Sequence, residues 1–162
     1  MKRVFLADIM LKKLCRWLRI FGVSTIYAGN YTEDDDEIIK LAIEKKMVLL
    51  TADEALYNKA RDYVKAILLE GTDLVAQIEQ INKEVKLGLS SKFLAKTLCA
   101  QCNSKLKVVG KDAVRGKVFT SVLRNHRKFW LCQECGKIYW QGSHWKKIRK
   151  TAGKITKKTG RK

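Results

Sequence analysis

"RVFLADIMLKKLCRWLRIFG", residues 3–22, changes its hydrophobic period halfway along. "RVFLAD" reads as a short buried strand ending at Asp8. After it, Leu11, Leu14, Cys15, Leu18 and Phe21 recur at i, i+3, i+4, i+7 and i+10, one face of a helix, with Gly22 placed as its C-terminal stop. The opposite face carries Lys12, Arg16 and Arg19. A strand handing over to an amphipathic helix at an aspartate is the unit from which the next seventy residues are built.

The unit recurs three times. "STIYA" is a second strand, and the acidic "YTEDDDEII" (31–39) leads into a helix over "DEIIKLAIEKK". "MVLLTAD" is a third strand ending near Asp53, followed by the helical "EALYNKARD". "KAILLE" is a fourth, followed by a helix over "DLVAQIEQINKEV" with Leu74, Ile78, Ile81 and Val85 on one side. Strands alternating with helices predict an α/β fold with a parallel sheet and right-handed crossovers. Ligands of such sheets bind beyond the carboxyl ends of the strands. Asp8, Asp53 and Asp73 follow strands one, three and four, and Asp36 opens the helix after strand two, so the acids are expected at one rim.

Each acid also has a bland reading. Asp34, Asp35 and Asp73 suit helix caps and first turns, where the helix dipole favours negative charge. Asp8 and Asp53 are harder to explain so, because aspartate is disfavoured at strand positions and clustered carboxylates repel one another. A hard divalent cation relieves that repulsion, so the rim is expected to hold Mg²⁺ or Mn²⁺ and to activate water against a phosphodiester.

The chain has 162 residues, 34 Lys and Arg, and 16 Asp and Glu, a formal charge of +18. Residues 1–96 hold 16 basic and 14 acidic side chains, and residues 97–162 hold 18 basic and 2 acidic. That asymmetry is the footprint of nucleic-acid binding. A membrane surface fits less well, since the basic half lacks the leucine stripe of an interfacial helix. No apolar run approaches the ~20 residues of a membrane span, and the basic start turns acidic at Asp8 without a cleavage site, so a cytoplasmic protein is expected.

Cys99 and Cys102 in "CAQC" and Cys132 and Cys135 in "CQEC" form two knuckles separated by 29 residues. Four thiolates at these offsets suit one tetrahedral structural Zn²⁺ in a ribbon with an elongated hairpin. Cys15, on the apolar helix face, reads as a core residue. "KFW" and "KIYWQGSHWKKIRK" interleave aromatics with cations, a pattern that can stack bases and hold phosphates. The expected nucleic-acid contacts are Lys12, Arg16, Arg19, His144, Trp145, Lys146, Lys147, Arg149 and Lys150, while Trp130, Tyr139 and Trp140 are candidates for the ribbon's core. The expected organisation is a sheet domain at 1–90, a zinc ribbon at 97–145 and a disordered basic tail at 146–162.

In "MLKKLCRWLRIFG", "DDEIIKLA", "LLTAD", the two knuckles and "YWQGSHW", the chain resembles the Mut-seven C-terminal RNase domain family over about residues 3–145. The resemblance implies a PIN-like nuclease fold with a C-terminal zinc module, and a metal-dependent RNase whose acids map onto Asp8, Asp36 and Asp53; Asp35 and Asp73 remain weaker candidates from their places at the rim. Ala52 stands where the family tends to have Arg, and Ser24 where an Asp is common. By architecture the chain is also similar to rRNA-processing PIN endonucleases with a zinc ribbon. RNA, including rRNA or ribosomal particles, is the expected partner. Non-catalytic RNA binding is the alternative.

Overall fold

The computed structural model describes residues 3–90 and 92–159. Four short strands, β1 (Phe5–Ala7), β2 (Thr25–Tyr27), β3 (Val48–Thr51) and β4 (Ala66–Leu68), form a wholly parallel sheet in the order β2-β1-β3-β4. Between them run α1 (Lys12–Ile20), α2 (Asp35–Glu44) and α3 (Glu54–Ala60), and α4 (Leu74–Glu84) follows β4. The expected parallel α/β sheet is present.

The two-residue period of the strands sorts the core into two layers. Phe5, Ala7 and Leu50 face Leu14 and Leu18 of α1 and Ile78 and Ile81 of α4. Leu6 and Leu49 face the other way, onto Ile38 and Ala42 of α2 and Leu56 and Ala60 of α3. Strands β1 and β3 are buried along their whole length, which is why they read as continuous apolar runs and not as alternations. Cys15 is buried on the first face, and burial pushes its thiol pKa up.

The C-terminal half contains β5 (Leu106–Val109), α5 (Thr120–Asn125), β6 (Phe129–Cys132) and β7 (Ile138–Tyr139), with the strands antiparallel in the order β5-β6-β7. Instead of an elongated hairpin, the loop between the knuckles carries a 3-10 turn at Asp112–Val114 and then α5.

The stretch expected as a disordered tail is different again. Residues His144–Thr159 form one helix, α6, whose Ala152 and Ile155 are fully buried in the same cluster as Leu14 and Ile81. The correction has a visible cause. Trp145, Ile148, Ala152 and Ile155 recur at helical spacing, and their apolar stripe packs beside α4 and α1. Composition conceals the stripe because lysine fills the other faces. Positions 160–162 of the expected tail lie outside the described residues.

Candidate functional site: an acidic rim and a basic cleft

Four aspartates at strand or loop ends each cap the helix or turn that they precede. Asp34 accepts from Glu37 N, Asp73 from Ala76 N, and Asp53 from Ala55 N and Leu56 N, at the starts of α2, α4 and α3. Asp8 Oδ1 accepts from Ile9 N at the 3-10 turn after β1. The capping reading therefore holds for each of them. Burial separates them: Asp34, Asp53 and Asp73 are exposed, whereas Asp8 is 3% exposed.

Asp8 is also the start of a short relay across the sheet. Its Oδ2 accepts from Thr51 Oγ1 at 2.9 Å, and Thr51 Oγ1 in turn accepts from Asp53 N at 2.9 Å. Thr51 is fully buried at the end of β3, which pairs directly with β1. In the order β2-β1-β3-β4, the chain leaves β1 for the β2 edge and returns to β3, so the carboxyl ends of β1 and β3 flank the topological switch point. Thr51 was not singled out from sequence. Its signal was its place two residues before Asp53 in "LLTAD".

The rim does not gather the other acids as tightly. Asp36 is exposed and pairs with Lys59 of α3 at 3.0 Å, and that bond raises the Lys59 pKa. Asp35 is half-buried in the first turn of α2. Among the described residues, the one group of three or more metal-ligating side chains whose atoms all lie within 4.8 Å of one another is Cys99, Cys102, Cys132 and Cys135. Asp8, Asp36 and Asp53 do not form such a group.

The cysteine cluster has the geometry that four-thiolate zinc requires. The Cys99–Cys135 and Cys102–Cys132 sulfurs are 3.6 and 3.4 Å apart, close to the ~3.8 Å edge of a tetrahedron with Zn–S near 2.3 Å. Both knuckles turn through a left-handed residue directly after the second cysteine, Asn103 (φ 71°) and Gly136 (φ 71°), residue types that tolerate that region. Burial raises the Cys102 pKa, but hydrogen bonds from Ser104, Cys132 and Cys135 together outweigh it and bring it down to about 6. Burial, with hydrogen bonds to the neighbouring cysteines, pushes Cys135 up to about 12. One thiolate is easily formed and the next is resisted, which is how close thiols behave until a cation joins them. The donor set and spacing fit one structural Zn²⁺.

The first knuckle is stitched to the sheet unit through Arg19. Its guanidinium donates to Thr25 O (2.7 Å), Ala100 O (3.0 Å) and Gln101 O (2.9 Å), and the residue is 4% exposed. Arg19 was expected to contact nucleic acid; it is instead a buried strut, because its three carbonyl partners need a charged fork at that joint. Asn103 adds bonds to Thr25 N and Ser24 Oγ, and Thr97 Oγ1 bonds Ile20 O. Gly22 (φ +75°) completes the joint, since a Cβ there would collide with the Lys96 backbone.

Beside this joint lies a cleft of about 580 Å³, lined by Lys12, Lys13 and Arg16 of α1, Ala100 of the knuckle, and His144 and Lys147 of α6 among others. Four residues expected to bind nucleic acid, Lys12, Arg16, His144 and Lys147, thus meet from opposite ends of the chain. Lys13 joins them unanticipated. Lys12 stands one turn beyond Asp8, so the cleft runs from the rim towards the cysteine cluster. Lys146, Arg149 and Lys150 are exposed elsewhere on α6, and Trp145 turns inward, 6.3 Å from the Phe93 ring. Trp130, Tyr139 and Trp140 are half-buried. Among the described residues no helix is long and apolar enough to cross a membrane.

The family model described as Mut7-C RNAse domain matches residues 3–152, and the chain belongs to that family. No curated protein and no solved structure matches. Membership gives the protein a nuclease, RNA-related role.

Proposed function

We propose that this Mut7-C RNase-domain chain is a divalent-metal-dependent ribonuclease, hydrolysing RNA phosphodiesters at the rim while the basic cleft and zinc ribbon hold the strand. The observation that carries this is Asp8. It is a buried carboxylate at the topological switch point, and among the described residues no lysine or arginine pairs with it. An uncompensated buried charge is costly, and each of its oxygens keeps a free lone-pair direction after the bonds from Ile9 N and Thr51. That donor chemistry fits Mg²⁺ or Mn²⁺, which need only one or two carboxylates besides waters and phosphate oxygens.

In this reading Asp8 is the principal ligand, and Thr51 fixes the direction of its carboxylate. Asp53, whose Oδ2 is not used in capping, is the second. Asp36 would have to leave Lys59 to join them, so it ranks third. A bound divalent cation would polarise the phosphodiester and lower the pKa of an attacking water. Lys12, Lys13, Arg16 and Lys147 neutralise the backbone, and α6, which follows the ribbon, forms the cleft's far wall.

The test is cleavage of mixed single-stranded RNAs by the zinc-loaded protein with Mg²⁺ or Mn²⁺. Asp8→Asn, whose amide oxygen can accept from Ile9 N while its NH2 donates to Thr51 Oγ1, is expected to lose more than ~100-fold in rate with zinc content and Tm little changed. Uncut RNA under every metal condition would exclude the reading.

One observation favours a second reading, RNA binding without cleavage. The three acids implied by the resemblance do not converge, and Asp36 is held by Lys59. Co-sedimentation with ribosomal particles at moderate salt, with no cleavage, would select it.

A further inference from the structure

A second chamber adjoins the basic cleft. It is a cavity of about 140 Å³ at the joint between the ribbon and the sheet unit, walled by Trp130, Tyr139, Trp140 and Trp145 and bounded by Ile20 and Ile148. Ile20, Ala100 and Ile148 line both spaces, so the chamber and the cleft are neighbours. Trp130 and Tyr139 are register partners on β6 and β7, and the Tyr139 hydroxyl lies 3.1 Å from Cys99 Sγ, which ties that wall to the cysteine cluster. Beside the chamber Trp145 also carries an unsatisfied group: among the described residues its Nε1 is buried without a hydrogen-bond partner.

These features narrow the occupant. The volume is close to the ~150 Å³ of an engineered apolar cavity that takes one benzene ring, so there is room for a single six-membered ring. Aromatic walls favour a flat ring over an aliphatic chain. The orphaned indole N–H, shielded from the chamber as Trp145 stands, would be satisfied by a ring that carries an acceptor once Trp145 turns towards it. The cations Lys12, Lys13, Arg16 and Lys147 next door call for a ring attached to phosphates. A tyrosine or histidine side chain of a protein partner would meet the first three demands and leave the neighbouring cations unexplained.

We propose that the chamber receives a pyrimidine base, uracil or cytosine, turned out of an RNA strand whose phosphates lie along the cleft. This deepens the RNA reading above and rests on it. A bicyclic purine exceeds the volume, and both pyrimidines carry a ring carbonyl for Trp145 Nε1. Turning out a base is least costly in a single strand, which the cleft would select. α1 rises ~1.5 Å per residue, so Ile20 at the chamber lies ~12 Å beyond Lys12 at the rim end. The base would therefore be read away from the cleavage point and would set its register.

The experiment measures the affinity of the zinc-loaded full chain, without Mg²⁺ or Mn²⁺, for oligouridylate, oligoadenylate and an abasic ribose-phosphate chain of equal length. Oligouridylate is expected to bind about tenfold tighter than the abasic chain, and tighter than oligoadenylate although purines stack better in general. Trp140→Ala should bring oligouridylate to the abasic level while leaving the abasic affinity and its salt slope unchanged. Trp140→Phe should keep the preference. If the alanine variant loses zinc, the wild-type ordering of the three chains decides alone. Equal binding of all three, with steep salt dependence, overturns the base chamber and leaves the RNA reading standing; binding of none overturns both. Oligoadenylate binding tighter than oligouridylate overturns the pyrimidine assignment.

Discussion

The sheet unit and the cysteine-rich half handle charge in opposite ways. Residues 1–96 balance 16 basic against 14 acidic side chains, use aspartates as helix caps, and bury one of them, Asp8. Residues 97–162 set 18 basic side chains against 2 acidic and gather four thiols at one point. A nearly neutral unit attracts a polyanion weakly at long range, and its rim acids repel one at short range unless a cation is bound. The basic half would attract RNA at long range without offering it a clustered carboxylate site. In the proposed reading, binding falls mainly to the basic half and chemistry to the sheet unit, and they meet at the cleft between α1 and α6.

The largest test of that division is zinc. Structural zinc sites contribute on the order of 10–16 kcal/mol to folding of the segments they hold. Chelation, or Cys102→Ser with Cys132→Ser, is expected to abolish hydrogen-exchange protection in β5 to β7 while β1 and β3 stay protected. Protection lost from both regions together would mean that they are one cooperative unit, and protection lost from neither would remove the zinc assignment.

Next in size is the core of α6. Ile155→Ala should cost about 2–5 kcal/mol, read as a lowered denaturation midpoint of the sheet unit. An unchanged midpoint would return this stretch to the status of a loose basic tail.

Smaller, and sharper, is the pair Arg19 and Arg16, one turn apart on α1. Arg19→Met leaves three carbonyls without their donor and should cost about 2 kcal/mol of stability, with the salt slope of RNA binding unaltered. Arg16→Ala should leave stability within about 0.5 kcal/mol and lower the log–log salt slope by roughly 0.7. The reverse pattern would place the phosphate contact at Arg19.

The sheet was legible because its signals are local. Apolar runs closed by aspartates at residues 8 and 53, and helical stripes such as Leu11, Leu14, Leu18, arise from covalent neighbours and burial alone. The cysteine cluster was legible for a similar reason, since two C-x-x-C turns leave few geometries. The features that stayed hidden depend on pairs distant in sequence. Arg16 and Arg19 look alike until Ala100 and Gln101 arrive beneath one of them. The apolar side of α6 was masked by nine basic residues after position 145, and its target on α4 lies about seventy positions earlier. A cut after Lys96, the natural division by charge, would therefore strip Ala152 and Ile155 from the sheet unit's own core. Surface substitutions on α1 and α6 separate charge from stability where truncation cannot.

The most direct measurement tracks binding and cleavage together in two variants, Asp8→Asn and the double variant Arg16→Ala with Lys147→Ala, against the unaltered protein with Mn²⁺. Asp8→Asn is expected to bind RNA as tightly as the parent, and to lose cleavage by more than ~100-fold even at saturating RNA. The double variant should show the opposite split, with weaker binding, a flatter salt dependence, and cleavage restored at high RNA concentration. Cleavage retained in Asp8→Asn, or binding and cleavage falling in parallel in both variants, would contradict the division.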